Sequence, residues 1–426
     1  MQMTSYLRPR MAGLFVLALA GCHSKTDQQH TTAATDTSKA GVKAVATPPI
    51  VSDRGSLYET YRGLFAAAAD SFTLHLTRVP PRLDSEDAIV SGIYYGADMH
   101  PLELEELALQ STAPDSMLLQ DVSDEALPTG ADGQAGSVWR LHREPNGNWT
   151  GTRAGQSLRL RRVSSTPGGM GLAIESHSDT IAAYPGSPQT PYGEVSMQGL
   201  TPVGPATGTA AGTLLASNIL REERGDFKAK QAAPASLDVI WASQRRAFKK
   251  EYREVAEEMR PLFEDTTESF LSSSLYYYHR KSVNVWVHQP PLLSLGFADY
   301  SFSGGNHRLG DTQLRSFDLR TGKALSFDDI FLPKARTQLP ALLIRYARRT
   351  LHTQAGEALI ARLSEPDEGV STNVCLTPRG VVFSYSPYET VPTSYEEARL
   401  FVPFAELRPW LRDGLPLPAR AGVAVR

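Results

Sequence analysis

Residues 55–165 contain about eight short segments in which apolar and polar side chains alternate. In residues 71–77, phenylalanine and two leucines alternate with serine, threonines and histidine, the period of a β-strand with one buried face. Asn146-Gly147 lies between two such segments and favours a tight hairpin turn. Because short strands at near-regular spacing are typical of antiparallel architectures, we predict an all-β domain here, either a small barrel or a strongly curled meander.

The periodicity changes to that of helices after residue 236. Large apolar side chains then recur on one helical face, at Trp241, Phe248, Tyr252, Val255 and Met259. This spacing predicts an amphipathic helix that Pro261 ends. A second helix is predicted over 336–353, with strands before and after it. A hairpin around Pro378-Arg379-Gly380 and a short helix near 403–412 follow.

These patterns predict an α+β protein. An N-terminal antiparallel β meander or barrel precedes an α+β domain with an antiparallel sheet and flanking helices. We assign this second domain to 236–412 and a C-terminal tail to 413–426. Residues 166–235 are assigned to a connecting region, in which Leu172–Ser176 has a strand pattern and Leu214–Glu223 a helical one.

Residues 1–21 are predicted to be a lipoprotein signal peptide. Two arginines precede a short apolar run that is well under the ~20 residues of a membrane-spanning helix. The run ends in Leu19-Ala20-Gly21-Cys22, a lipobox, which predicts cleavage before Cys22 and lipidation of its thiol with diacylglycerol and palmitate. An uncleaved anchor or a cytosolic start is the alternative.

Residues 22–54 are then the lipidated cysteine and a polar, disordered tether, because they lack the apolar surface needed to fold. We expect the protein to sit in the cell envelope, held to the membrane by its lipid. His23 rather than aspartate follows the lipidated cysteine, which by resemblance to Gram-negative sorting favours the outer membrane, facing the periplasm.

Composition excludes a nucleic-acid partner. The chain is 41% hydrophobic and 21% charged, with a formal net charge of −3. Such a balance lacks the basic excess of a nucleic-acid-binding protein. Cys22 and Cys375 are the only cysteines, so lipidation of the first leaves no intrachain disulfide. We expect Cys375, inside an apolar run, to be a buried inert thiol rather than a nucleophile.

Three motifs in the C-terminal half carry a resemblance to a known family. They are Tyr300-Ser301-Phe302-Ser303-Gly304-Gly305-Asn306-His307, the run from Ser316 to Phe331, and Val382-Phe383-Ser384-Tyr385-Ser386-Pro387-Tyr388-Glu389. By these motifs, residues 240–412 resemble the extracellular domain of RsiV-type anti-sigma factors, which also occurs with PdaC-type peptidoglycan deacetylases. The run Gly147-Asn148-Trp149-Thr150-Gly151 makes 55–165 similar to a β-rich domain that precedes it in bacterial lipoproteins.

The resemblance implies a lysozyme-like envelope protein or peptidoglycan as partner. Asn306 occupies a position where the family has a small residue, so the resemblance does not imply that this protein binds lysozyme itself. The candidate ligand-binding residues are Gly304, Gly305, His307 and Tyr388. Two glycines permit a tight loop that presents the imidazole; alternatively they make a plain turn, and His307 bonds a neighbouring strand. Nothing stands at metal-ligand spacing around His307, so no metal or other cofactor is predicted.

The sequence lacks the motifs of the common hydrolases. It contains no His-Glu-x-x-His, no Gly-x-Ser-x-Gly and no polysaccharide deacetylase pattern. We therefore predict that the protein is not an enzyme and has a binding or sensing role. A peptidoglycan-acting enzyme, with His307 as general base and Asp318 orienting it, is one alternative; a purely structural envelope protein is another. Asp318 and Gly322 also fit a turn, and Asp328-Asp329 a helix cap rather than a calcium site.

Aromatic residues give one further candidate surface. Tyr276-Tyr277-Tyr278 and Trp286 are predicted in adjacent strands. Such side chains form either a stacking face for a carbohydrate or peptide, or ordinary core on one face and surface on the other. The sequence leaves both interpretations open.

Overall fold

The structure is a computed structural model. It describes residues 56–66, 71–79, 89–95, 101–107, 115–122, 138–163, 170–187, 190–228, 230–265, 274–304, 309–351, 354–364, 370–386 and 397–418. The description below concerns these residues.

The first eight strands form a closed antiparallel barrel. They are β1 (Leu57–Phe65), β2 (Ser71–Val79), β3 (Ile89–Tyr95), β4 (Pro101–Glu106), β5 (Ser116–Asp121), β6 (Val138–Arg143), β7 (Trp149–Arg153) and β8 (Gln156–Arg162). Each strand pairs with the next, and β8 returns to pair with β1. Of the two predicted alternatives, the barrel is confirmed.

Large side chains fill the barrel interior. Trp139, Tyr61 and Tyr94 are almost fully buried there, together with inward-facing leucines. Trp149 donates from its indole nitrogen to the Tyr61 hydroxyl across 3.0 Å, and Tyr61 donates in turn to Glu59. The Tyr61 hydroxyl and the Trp149 indole nitrogen thus satisfy each other inside the barrel. The indole nitrogen of Trp139 has no hydrogen-bond partner among the described residues.

A six-stranded sheet follows, in the spatial order β14-β13-β12-β11-β10-β9. Its strands are β9 (Gly171–Ala182), β10 (Tyr192–Val203), β11 (Tyr277–Gln289), β12 (Leu292–Ser303), β13 (Leu309–Asp318) and β14 (Lys323–Leu325). Neighbours are antiparallel except β10 and β11, which are parallel. Strands β9 and β10 come from the predicted connecting region, whose proline- and glycine-rich part joins the two as a hairpin.

Two long helices cover one face of this sheet. Helix α1 (Ala210–Arg224) is capped by Thr209, and Gly225 ends it in the left-handed conformation. Helix α2 (Leu237–Asp265) carries the predicted apolar face, with Phe248 and Tyr252 packed beneath it. The prediction that Pro261 ends this helix is wrong. The helix continues past the proline for one further turn, despite the backbone hydrogen bond that proline removes.

The C-terminal part adds a three-stranded sheet and its helices. Elements α3 (Phe327–Ile330), α4 (Ala335–Thr350), α5 (Gln354–Leu363), β15 (Val374–Leu376), β16 (Gly380–Tyr385), β17 (Ala398–Pro403) and α6 (Phe404–Leu407) follow in order. Strands β15 and β16 form the predicted hairpin. Cys375 is fully buried in the core that this sheet shares with α4 and α5, as expected of an inert thiol.

The barrel packs by its outer wall against the sheet face opposite α1 and α2. Outward-pointing residues of β2 and β3 meet β11 there. Tyr95 donates from its hydroxyl to the Trp286 carbonyl oxygen across 2.7 Å, and Ser91 donates to the Asn284 side-chain oxygen across 3.2 Å. This junction covers one end of the sheet face and, by position, leaves the end near residues 276–280 outside it.

Candidate functional site

Gly304 is the one predicted ligand-binding residue that lies within the described structure. It follows β12 directly, with a φ of +78°, and a Cβ at this position would lie 3.3 Å from Cε1 of Tyr277. A positive φ is the conformation that glycine tolerates in a tight loop. Gly305, His307, Tyr388 and Cys22 lie outside the described residues, so their roles stay predictions.

An aromatic patch is formed by Tyr276, Tyr278, Phe302 and Arg280, and Phe302 lies two residues before Gly304 in the chain. Tyr278 and Phe302 are cross-strand partners whose rings stack with centroids 5.7 Å apart. Tyr276 packs against both rings, at 6.1 Å and 6.3 Å, and is 41% exposed. Stacked rings on paired strands support one another. The patch therefore presents a fixed aromatic surface to solvent.

Arg280 extends the patch with a charge. Its guanidinium carbon lies 4.4 Å from the centre of the Tyr278 ring, and it forms an ion pair with Glu194 of β10 at 2.9 Å. The ring and the carboxylate together fix the orientation of the arginine side chain. Planar guanidinium groups held in this way recognise carboxylates and other hydrogen-bond acceptors.

The other two predicted aromatic residues are not part of this surface. Tyr277 points to the opposite sheet face, where its ring lies 5.6 Å from that of Tyr252 on α2. Trp286 shares the face of the patch but is only 3% exposed, because it packs in the core cluster that includes Ile93 and Tyr95. Arg399 lies over its ring at 5.5 Å. The stacking-face prediction therefore applies to Tyr276 and Tyr278 alone, joined by Phe302.

A polar cluster lies farther along β12, between the patch and the barrel. Tyr300 donates from its hydroxyl to Glu397 Oε1 across 2.6 Å, and its oxygen lies 3.2 Å from Oγ1 of Thr312 on β13. Burial and the neighbouring Glu397 carboxylate raise the pKa of the Tyr300 phenol. Tyr300 is thus a neutral donor that fixes the residue preceding β17.

Arg399 of β17 ties three parts of the fold together. Its guanidinium forms ion pairs with Glu103 on barrel strand β4 and, at 2.5 Å, with Glu397. Burial alone would lower its pKa, but the two carboxylates outweigh burial and raise it. Two carboxylates around one guanidinium compensate the cost of bringing charge into the junction. The sequence analysis did not single out this residue.

A histidine–carboxylate pair lies on the helix-covered face of the sheet. His279 Nε2 lies 2.7 Å from Asp299 Oδ1, and Lys281 Nζ lies 3.1 Å from Asp299 Oδ2. Burial opposes ionisation of Asp299, but the hydrogen bond with His279 and the charge of Lys281 outweigh it and lower the pKa. This arrangement orients an imidazole, as a general base requires.

Asp318 is a turn residue. Its carboxylate receives a bidentate contact from Arg320, at 2.9 Å and 2.8 Å, and its carbonyl accepts from the amide of Gly322 at 2.7 Å. It ends β13. His307 lies outside the described residues, so its pairing with Asp318 in the enzyme alternative stays a prediction.

The predicted cap at Asp328-Asp329 is confirmed. Ser326 and Asp329 form a reciprocal capping box at the start of α3. In the part of the chain that the structure describes, no three histidine, cysteine or carboxylate side chains lie together as metal ligands. Within the same residues, no helix has the length and apolarity to cross a bilayer.

The C-terminal segment has a recognisable relative. Residues 328–405 match DUF3298, a family of proteins of unknown function. The matched segment runs from α3 to the beginning of α6 and includes Glu397 and Arg399. The DUF3298 segment thus contributes the residues that fix the C-terminal sheet to the barrel.

Two solved DUF3298 structures are similar to a larger part of the chain. One, from Bacteroides fragilis, shares 20% identity over 58% of this chain and 95% of its own, with a TM-score of 0.47. Another, from Pseudomonas aeruginosa, shares 18% identity over 60% of this chain and 99% of its own, with a TM-score of 0.36. No curated protein matches the chain.

Sequence reasoning missed Arg399, Glu103 and Arg280. Strand alternation around Ala398–Pro403 indicates which face Arg399 occupies, but not that the barrel covers this face. Arg399, in the DUF3298 segment, and Glu103 are far apart in the chain. No local sequence pattern predicts an ion pair between such residues. Arg280 had a local signal, since it follows Tyr278 at strand spacing.

Proposed function

We propose that this protein is a lipid-anchored component of the cell envelope that binds a protein or glycan partner through the aromatic patch, without catalysis. Cys22 supplies the anchor, and the outer membrane is the expected location, facing the periplasm. The relation to RsiV-type extracellular domains belongs to this proposal and rests on the motifs in 240–412. One observation carries the proposal: Tyr276, Tyr278 and Phe302 pack into a partly exposed aromatic surface with Arg280 over the Tyr278 ring.

The chemistry of the patch favours recognition over reaction. Its aromatic rings offer stacking surfaces to a sugar ring or an aromatic or apolar side chain. Arg280 offers a positioned cation beside them. Because the rings are held by packing and the arginine by Glu194, binding would require little ordering of the protein. A rigid aromatic surface with one arginine is the composition of an interface hot spot.

The test is retention of the detergent-solubilised full chain on purified sacculi, together with capture of partners from cross-linked envelopes. We expect retention in at least one assay and a loss of about tenfold or more with Tyr276→Ala. Leu214→Ala on α1 is the matched control, since Leu214 is 42% exposed, like Tyr276, but lies on the helix side of the sheet. No retention in either assay would refute the proposal.

A peptidoglycan-acting enzyme is the second candidate, favoured by the His279–Asp299 pair. In that case His279→Gln should abolish the muropeptide changes caused by overexpression while changing the melting temperature by only a few degrees. Lys281→Gln controls for loss of charge near Asp299. An unchanged muropeptide profile on overexpression of the wild type would exclude this second function.

A further inference from the structure

A surface separate from the aromatic patch is the outer wall that strands β6, β7, β8 and β1 form on the barrel. Four arginines are exposed there: Arg62 on β1, Arg159 and Arg161 on β8, and Arg140 on β6. Each is next in the chain to an interior residue of the barrel, so strand alternation directs all four outward. We call the outward-facing residues of these four strands the basic wall.

Strand pairing brings the charges of the basic wall close together. Arg62 and Arg161 are direct partners in the β1–β8 ladder, and Arg159 is the partner of Leu64 on the same face. Arg140 lies across β7 from them. Like charges directly opposite each other in a ladder are destabilising. The barrel therefore carries a repulsion on its outside that a bound anion would relieve.

No acidic side chain of the described residues balances these arginines on the wall. The outward-facing residues that the structure describes in β6, β7, β8 and β1 include no aspartate or glutamate, and none of the four arginines forms an ion pair within this part of the chain. Glu59 of β1 is buried inside the barrel and pairs with Arg162 at 2.7 Å. Glu144, in the β6–β7 turn, accepts from the side-chain amide of Asn146 across 3.2 Å. The wall is thus strongly basic, although the whole chain has a formal net charge of −3.

Two apolar side chains lie among the arginines and are also exposed. Leu64 is 48% exposed, and Val163, just after β8, is 49% exposed. Leu64 is the cross-strand partner of Arg159, and Val163 follows Arg161 at strand spacing. A bilayer takes up such apolar side chains at its headgroup boundary while its anionic lipids attract the basic ones. Exposed apolar residues between arginines therefore favour a lipid surface over a soluble acidic polymer.

The position of the basic wall on the barrel is compatible with contact to a membrane. In the closed order of eight strands, β7 lies four strands from β3, on the opposite side of the barrel. The six-stranded sheet packs against β2 and β3. A bilayer in contact with the wall would therefore have the barrel between itself and the sheet.

We propose that the basic wall docks on the anionic phospholipid headgroups of the membrane that holds the chain. Guanidinium groups pair bidentately with phosphate oxygens, and Leu64 and Val163 enter the headgroup boundary beside them. Each arginine near an anionic bilayer strengthens binding about fivefold. This docking depends on the membrane attachment in the proposed function and is independent of the aromatic patch.

Lipid photo-crosslinking tests the docking on the full chain. A photoreactive phenylalanine analogue replaces Leu64 or, as the matched control, Val239, which is 52% exposed on α2. Vesicles are formed around the protein by detergent removal, from phosphatidylcholine alone or from an equal mixture with phosphatidylglycerol. We expect at least about fivefold more lipid adduct from position 64 in the mixed vesicles than in the neutral ones, and little from position 239 in either. Equal adduct in the two kinds of vesicle, or equal adduct at the two positions, would overturn the proposal.

Charge variants show whether the arginines of the wall cause the contact. Arg62→Gln combined with Arg161→Gln should reduce the adduct at position 64 about tenfold or more, and so should an ionic strength of about 1 M, at which charges are screened beyond about 3 Å. Arg246→Gln combined with Arg348→Gln removes two exposed arginines from α2 and α4 and should leave the adduct unchanged within about twofold. Equal effects of the two pairs would show that only the net charge matters and would contradict the docking.

A soluble acidic polymer is the competing occupant of the wall. Its test is retention of the full chain, in detergent, on a polyphosphate resin. Retention that Arg62→Gln with Arg161→Gln abolishes, together with no lipid adduct at position 64, would assign the wall to such a polymer and overturn the lipid proposal. Retention on sacculi that depends on Tyr276, again without lipid adduct at position 64, would overturn the docking alone and leave the proposed function standing.

Discussion

Tyr300 donates a hydrogen bond to Glu397 across 2.6 Å and thereby joins β12 to the residue that precedes β17. Tyr300 opens the first of the three sequence motifs and lies four residues before Gly304. This bond depends on Arg399, which holds Glu397 from its other side.

Replacing Arg399 should destabilise the protein strongly. Arg399→Met leaves the carboxylates of Glu103 and Glu397 without their counter-charge, at a cost of about 3–5 kcal/mol. Urea unfolding measures the loss. Arg336→Met is the control, because Arg336 pairs with Asp328 at an exposed site and should cost less than about 1 kcal/mol. Similar losses for the two variants would show that Arg399 does not hold the junction.

A second prediction concerns Gly322, in the turn between β13 and β14. Its φ is +76°, and a Cβ would lie 2.1 Å from the Ala211 carbonyl oxygen of α1. Gly322→Ala therefore combines backbone strain with a clash that α1 must move to relieve, and we expect a loss above about 3 kcal/mol.

Gly155→Ala provides the matched comparison for Gly322. Gly155 has a φ of +80°, but nothing lies within 4 Å of the Cβ that an alanine would place there, so only the strain of about 1–2 kcal/mol remains. Chemical denaturation of both variants gives the difference. If the two variants lose the same free energy of unfolding, then close packing of the β13–β14 turn on α1 is not the reason that position 322 requires glycine.

The sequence predicted local features better than contacts between distant segments. The alternation of apolar and polar residues located the barrel strands, because each of these strands buries one face. Asn146-Gly147 located the β6–β7 hairpin. Strand β10 was missed and only Leu172–Ser176 of β9 was predicted, since polar residues on the less covered face of both strands dilute that signal. The patch was predicted in part, through Tyr276 and Tyr278. Trp286 is not part of the patch because it is buried by residues distant in sequence, among them Ile93 and Tyr95 of the barrel.

Stability should depend on pH through two histidines that neighbour Tyr58. Burial lowers the pKa of His75 to about 3 and that of His288 to about 4, and their ring centroids lie 6.2 Å and 5.9 Å from that of Tyr58. Their unfolded pKa is 6.5, so below this pH the unfolded chain binds more protons and stability falls as pH falls. Each histidine contributes up to about 1.4 kcal/mol per pH unit.

Glu223 has the opposite effect. Burial raises its pKa to about 8 from 4.5, so the folded state binds the extra proton and stability falls as pH rises between these values, by up to about 1.4 kcal/mol per pH unit. We therefore expect maximal stability near pH 6.5 in urea titrations. Glu223→Gln should remove the decline above the maximum, and His75→Gln with His288→Gln the decline below it. A flat profile from pH 5 to 8 would contradict both assignments.

The lipid anchor is tested at Cys22. Cys22→Ser keeps the apolar signal but removes the thiol that accepts the lipid, so the precursor should still be exported but remain unprocessed and unlabelled by clickable palmitate. Residues 23–54 offer no second apolar anchor to replace it. Cys375→Ser, at the buried cysteine, should keep full label. Equal label in wild type and Cys22→Ser would refute the lipoprotein assignment.

The central claim, that the aromatic patch is the surface that meets a partner, is tested most directly by photo-crosslinking in living cells. A photoreactive phenylalanine analogue replaces Tyr276 in one strain and Leu214 in another, two positions of equal exposure on opposite sides of the sheet. We predict a discrete higher-mass adduct from position 276, lost when Arg280→Ala is added, and none from position 214. The absence of any adduct at 276, or the same adduct at both positions, would contradict the account.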